Sequence, residues 1–401
     1  MTELRKYLLA SDYPNIITKV KKTILESKRN FKKHEIKEWC AKRWRNIFIN
    51  EASKFPEVVD IATQKKLFGA KDERSAKQKV AYRFLRDEGP NEWNIEMPEV
   101  EFKGLKNTTL IFCPGFLSGL FPVMAFQDAF PYLEKNYGIN ILQSDSHPMR
   151  SCEANMSDLI NVIDRGIGLD AKAELISENR AVPPKDIFII AYSKGMADLL
   201  VLLSKRPDLK KRIRCIFNWA GVPGGSYLAD TLYDSIKDLN FNIKDEFDNL
   251  IKLVSPIIHV PHKIRRLSEY NVKAAILDLT THIRKEFLRE NLKKIDSLNI
   301  PIFNITGSTT ITEVPYFQLQ GVNELNKYDP NNDMQVTQKH SKLHIPMATD
   351  LAMLHGHHWD VSYNSFVGKL SFGSPNLEHP FPKTAGAIAM VKFAYELGLI
   401  D

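Results

Sequence analysis

Apolar and polar positions change period several times along the 401-residue chain. Over residues 1–90 the apolar positions recur at three- and four-residue intervals. This predicts helices over Pro14–Arg29, Lys33–Asn50, Glu57–Phe68 and Glu73–Glu88. In the second of these, Ile36, Trp39, Cys40, Arg43, Trp44 and Ile47 form one stripe. Gly89-Pro90 breaks the pattern. Beyond it, short apolar runs alternate with helical stretches. Strands are expected at Trp93–Met97, Glu99–Lys103, Thr109–Cys113, Gly138–Gln143, Ile187–Ile190, Arg214–Trp219, Pro301–Thr306 and Leu351–Leu354. Helices are expected at Phe126–Tyr137, Asn155–Arg165, Ala171–Asn179, Met196–Leu203 and Thr384–Leu397. Such alternation predicts an α/β fold, with a mainly parallel sheet covered by helices on both faces. It pauses over 227–299, which has helical patterns and no good strand and reads as an inserted cap or lid.

Charge divides the chain in the same place. Residues 1–90 hold 22 Lys and Arg against 12 Asp and Glu, whereas the rest hold 33 against 36. A basic helical N-terminal domain followed by a second domain over 91–401 is therefore expected. Its basic face would suit an anionic membrane surface. No aromatic-interleaved nucleic-acid motif is present, so nucleic acid is not an expected partner. Four cysteines without a CxxC spacing point to reduced thiols. The first fifteen residues lack an apolar core of useful length, and no run of about 18 apolar residues occurs. A cytoplasmic protein is the expectation, with association with membranes through residues 1–90, and export by a route needing no cleaved signal, left open.

The candidate chemistry centres on Asp186–Leu203. A β-branched strand runs into Ala191-Tyr192-Ser193-Lys194-Gly195, and an apolar helix follows at once. Strand, tight turn with a central serine, helix is the context of a nucleophile elbow, in which the helix N-terminus offers N–H groups to a developing oxyanion. A serine needs a base, and the base needs an orienting acid. Downstream, Leu354-His355-Gly356-His357-His358-Trp359-Asp360 supplies His358, with His357 as the alternative. Three histidines there lack a companion acidic or cysteine cluster with ligand spacing, so no metal or cofactor is expected. Asp333, in the turn-rich Pro330–Val336, is the preferred acid over Asp329, Glu313 and Asp360. The oxyanion amides would come from Lys194 and from Phe116, in the Pro114–Gly119 loop after the Thr109–Cys113 strand. Leu117, His147, Arg150 and Tyr192 are candidate substrate contacts; His147 and Arg150 follow a strand C-terminus, where open α/β sheets bind ligands.

In order, these pieces resemble the α/β-hydrolase superfamily, nearest the triacylglycerol lipase and lecithin:cholesterol acyltransferase groups. Cys113–Gly119 resembles the oxyanion loop, with Pro114 where a histidine is usual. Ala191–Gly195 resembles the elbow. Ala220–Asp230 is similar to the lipase segment after the next strand. Asn331–Val336 resembles the acid loop, with Met334 where glycine is usual, and Gly356–Asp360 resembles the histidine loop, with His357 in place of an aspartate. The resemblance covers roughly 100–400. It implies a serine hydrolase of carboxylic, lipid-like acyl esters acting through a Ser-His-Asp triad and an acyl-enzyme. Acyl transfer with the same triad, or a non-catalytic binding protein on the same fold, are the alternatives.

Overall fold

The computed structural model describes residues 3–64, 72–86, 96–238, 266–315, 318–366 and 380–401. Six parallel strands form one sheet: β1 Thr108–Cys113, β2 Ile141–Gln143, β3 Asp186–Tyr192, β4 Ile213–Trp219, β5 Ile302–Ser308 and β6 Ala348–His355. The spatial order is β2-β1-β3-β4-β5-β6. Every strand residue but four is buried, as a sheet covered on both faces requires. The chain leaves β1 toward one edge and returns on the other side of it as β3. The strand order thus reverses between β1 and β3, where open α/β sheets form a crevice at the strand C-termini.

The N-terminal helices belong to this body. They are α1 Glu3–Leu9, α2 Tyr13–Glu26, α3 His34–Ala52, α4 Pro56–Thr63 and α5 Ala76–Phe84. α3 lies against β6 and the C-terminal helix Lys383–Glu396. Its apolar stripe enters the common core, with Trp44 edge-on to Trp219 of β4 and Phe48 stacked on Phe381. Arg43 is fully buried and forks onto Glu396 through Nε and Nη2 at 2.7 and 2.5 Å; Nη2 also donates to Pro98 O, and Nη1 donates to Asn46 Oδ1. Much of the N-terminal basicity is engaged inside the chain: Lys28 and Lys37 donate to Arg214 O and Ala348 O, and Lys32, Lys54 and Arg86 pair with Asp296, Glu99 and Glu313. Leu85 pairs antiparallel with Leu354 and covers the free edge of β6.

The opposite face of the sheet carries α7 Cys152–Ile160, α8 Lys194–Lys205 and the helix Thr281–Ser297, while α6 Ala129–Tyr137 joins the C-terminal helix. The expected strand Glu99–Lys103 is irregular; both neighbours of β1 are already taken by β2 and β3, and Phe102 packs on Tyr137 and Tyr395. The expected helix Ala171–Asn179 is a series of turns, because the Asp170 carboxylate accepts the N–H groups of Lys172 and Glu174 and holds an Asx turn. Within the expected lid, residues 227–238 and 266–299 are helical with connecting turns, without a strand; 239–265 lie outside the described residues, as do 93–95 of the other early strand. The four cysteines are free and buried. No helix among the described residues is long and apolar enough to cross a membrane.

Candidate active site

Ser193 sits between β3 and α8 with φ 53° and ψ −127°, a conformation that costs energy for any residue with a side chain. The strain is held by crowding on both sides. A Cβ on Gly195 would lie 2.2 Å from Cys113 O, and one on Gly115 would lie 2.7 Å from the Ser193 Cβ. Glycine at these positions lets the loop after β1 cross directly over the serine. Ala191, where glycine is more familiar, is an ordinary buried strand residue between Cys113 and Asn218.

The expected base and acid converge on it. His358 Nε2 lies 2.8 Å from Ser193 Oγ, and His358 Nδ1 lies 2.7 Å from Asp333 Oδ2. All three residues are buried, Ser193 retaining 9% exposure and Asp333 none. The remaining oxygen of Asp333 accepts the N–H groups of Gln335 and Val336 at 3.0 and 2.8 Å. Both of its oxygens thus serve as acceptors. It must therefore accept the Nδ1 proton, which leaves the Nε2 lone pair facing the serine hydroxyl. The two loops are tied to each other, since His358 N–H donates to Asp333 O at 2.8 Å. Met334, at the position noted for lacking a glycine, adopts φ 81° while its side chain is wholly buried. Burial of that side chain offsets the backbone strain.

The competing candidates are engaged elsewhere. His355 Nε2 lies 2.6 Å from Glu313, His357 Nδ1 accepts the Asp360 N–H, Asp360 accepts the Phe381 N–H, and Asp329 accepts the N–H groups of Asn331 and Gln338. Among the described residues no group of three or more His, Cys, Asp or Glu is placed to hold a metal ion.

The other candidates fall into different places. Phe116, half-buried, follows Gly115 on the loop over Ser193, and Lys194 opens α8. Leu117 is buried at φ 64°, with its N–H donated to Pro148 O. Tyr192 is buried beneath the histidine and donates its hydroxyl to His358 O at 2.9 Å, so it braces the base in place of facing a ligand. His147 does line a cavity of about 440 Å³ beside the Pro114–Gly119 loop, with Ser118, Ser144, Ser146, Arg266 and Tyr270. Burial, together with nearby Arg266 and Arg150, pushes its pKa down to about 4. Arg150 is not in that lining: its guanidinium is taken up by Glu269, by Asp158 and Ala154 O at 2.7 Å each, and by Asn155 Oδ1 at 3.2 Å. It holds the wall together.

The sequence reading missed what lies beneath the elbow. The Lys194 ammonium pairs with Asp198 at 2.5 Å, the two side chains 1% and 2% exposed. Burial alone would lower the lysine's pKa, but the adjacent Asp198 carboxylate, followed by Cys152, holds it above its ordinary value. The signal was present as a Lys and an Asp four apart on an otherwise apolar helix.

No protein-family model and no curated protein matches this chain. Solved structures do. A metagenomic carboxyl esterase, MGS0156, superposes with a TM-score of 0.59 at 20% identity, over 88% of this chain and 91% of that one. A Staphylococcus hyicus lipase gives 0.43 at 14% identity, over 76% and 97%, and the mature Bacillus licheniformis lipase BlEst2 gives 0.41 at 16%, over 65% and 89%. The first of these likenesses extends over nearly the whole of both chains and, with the six-stranded parallel sheet and its helical layers, shows that this chain has the α/β-hydrolase fold.

Proposed function

We propose that the chain is a serine hydrolase of carboxylic esters. The observation that carries the reading is the continuous hydrogen-bonded relay Ser193–His358–Asp333 built on a strained serine. The Ser193 hydroxyl attacks the ester carbonyl as His358 Nε2 takes its proton. Asp333 holds the tautomer and stabilises the imidazolium. The amides of Lys194 and Phe116 stabilise the tetrahedral oxyanion, aided by the positive end of α8. His358 then returns the proton to the leaving alcohol, and the acyl-enzyme is released to water by the same steps in reverse order. The carboxyl esterase structure that superposes over nearly the whole chain supports this reaction class. A lipid-like acyl ester is the proposed substrate, on the family resemblance of the five motifs.

The test is hydrolysis of p-nitrophenyl esters from acetate to palmitate by the wild type and Ser193→Ala. Turnover that disappears with the serine supports the reading, and the chain-length optimum defines the acyl preference. Turnover that survives Ser193→Ala refutes the assignment of the nucleophile. Absence of turnover in both, with no labelling by a fluorophosphonate probe, favours a binding role for the fold.

A further inference from the structure

The ion pair beneath the elbow begins a network that leads to the cavity wall. Asp198 Oδ1 takes the Lys194 ammonium, and its Oδ2 accepts from Asn155 Nδ2 at 2.9 Å. Asn155 is itself 1% exposed. Its Nδ2 also lies 3.2 Å from His147 O, and its Oδ1 accepts from Arg150 Nε. The same wall is fixed from within, because Met149 N–H donates to His147 Nδ1, and from outside, because Asn271 N–H donates to Met149 O. Each polar group of Asp198 and Asn155 named here has a partner, so the network has one low-energy arrangement. Burying a lysine and an aspartate costs several kcal/mol per ion, and an apolar pair of equal volume is commonly as stable. What the ionic pair adds is direction: it aims one carboxylate at both the first turn of α8 and the first turn of α7.

We infer that Asp198 and Asn155 are positioning residues, which lock the cavity wall 144–150 to the helix that carries Ser193 and so govern substrate affinity more than the chemical step. The inference rests on the ester-hydrolase reading for its kinetic part. Neither side chain lies within the relay; they act through His147, Arg150 and the backbone between them.

The test compares full-length wild type, Asn155→Ala and Asp198→Asn by ester kinetics and by amide hydrogen exchange. For the p-nitrophenyl ester that the wild type handles best, KM is expected to rise about tenfold or more while kcat stays within about threefold. Exchange is expected to quicken about tenfold over 147–155, with the amides of β1, β3 and β4 unchanged. A loss carried mainly by kcat, or wild-type exchange over 147–155 in both variants, overturns the inference. The two variants guard against failure to fold, since Asn155→Ala leaves the ion pair intact. An inactive wild type would sink the hydrolase reading alone, because the exchange measurement still decides whether the network holds the wall.

Discussion

Gly115→Ala tests whether the loop after β1 and the proposed nucleophile Ser193 are as closely coupled as the geometry requires. The added Cβ would stand 2.7 Å from Ser193 Cβ and 3.2 Å from its Oγ, where ordinary contact begins at 3.4 Å. The backbone of Gly115 is not in the left-handed region, so alanine meets no torsional penalty there. The clash must be relieved by separating the two segments by about 0.7 Å, moving the loop amides, the hydroxyl, or both. A misplacement near 1 Å at reacting atoms costs on the order of 10²-fold in rate, or roughly 2.7 kcal/mol in the barrier. We therefore expect kcat/KM for p-nitrophenyl esters to fall about a hundredfold, with a parallel fall in the rate of fluorophosphonate labelling. Melting temperature is expected to move by only a few degrees, because the elbow is a small part of the core. A variant that retains kcat/KM within about threefold of wild type would refute the argument, as would one whose loss is fully explained by unfolding.

Asp333→Asn keeps the shape of the acid but removes the acceptor that fixes the His358 tautomer; kcat is expected to fall by roughly three to four orders of magnitude, and a loss below tenfold would exclude Asp333 as the orienting acid. Arg43→Met leaves Glu396, its side chain only 10% exposed, without its partner and should cost roughly 3 kcal/mol in urea denaturation, within a single transition; two transitions of which only one shifts would contradict the shared core. His147 binds its proton more weakly in the folded chain than in the unfolded one, so acid favours unfolding. Its contribution to stability is complete above the unfolded value of about 6.5 and is lost as pH falls toward about 4. Melting curves of wild type and His147→Gln should show the variant with the shallower loss across that window; parallel curves would contradict the burial of this ring.

The sequence by itself determined the strand-and-helix alternation and singled out Ser193, His358 and Asp333, which the structure brings into hydrogen-bond contact, because each depends on local chemistry. A β-branched run, a small residue beside a tight turn and a turn-forming acid loop are readable within a few residues. What only the tertiary structure decided depends on packing across distance. The stripe Ile36–Ile47 reads the same whether it closes a separate bundle or lies on β6; Trp44 against Trp219 and Arg43 on Glu396 settle it as part of the sheet's own cover. Arg150 and Tyr192 have the chemistry of ligand contacts, and only the fold reveals that Glu269, Asp158 and the His358 carbonyl have already claimed them. Hydrophobic period and turn chemistry act over one or two turns of chain; ion-pair partners and shared cores are fixed by segments hundreds of residues apart, whose meeting no local pattern encodes.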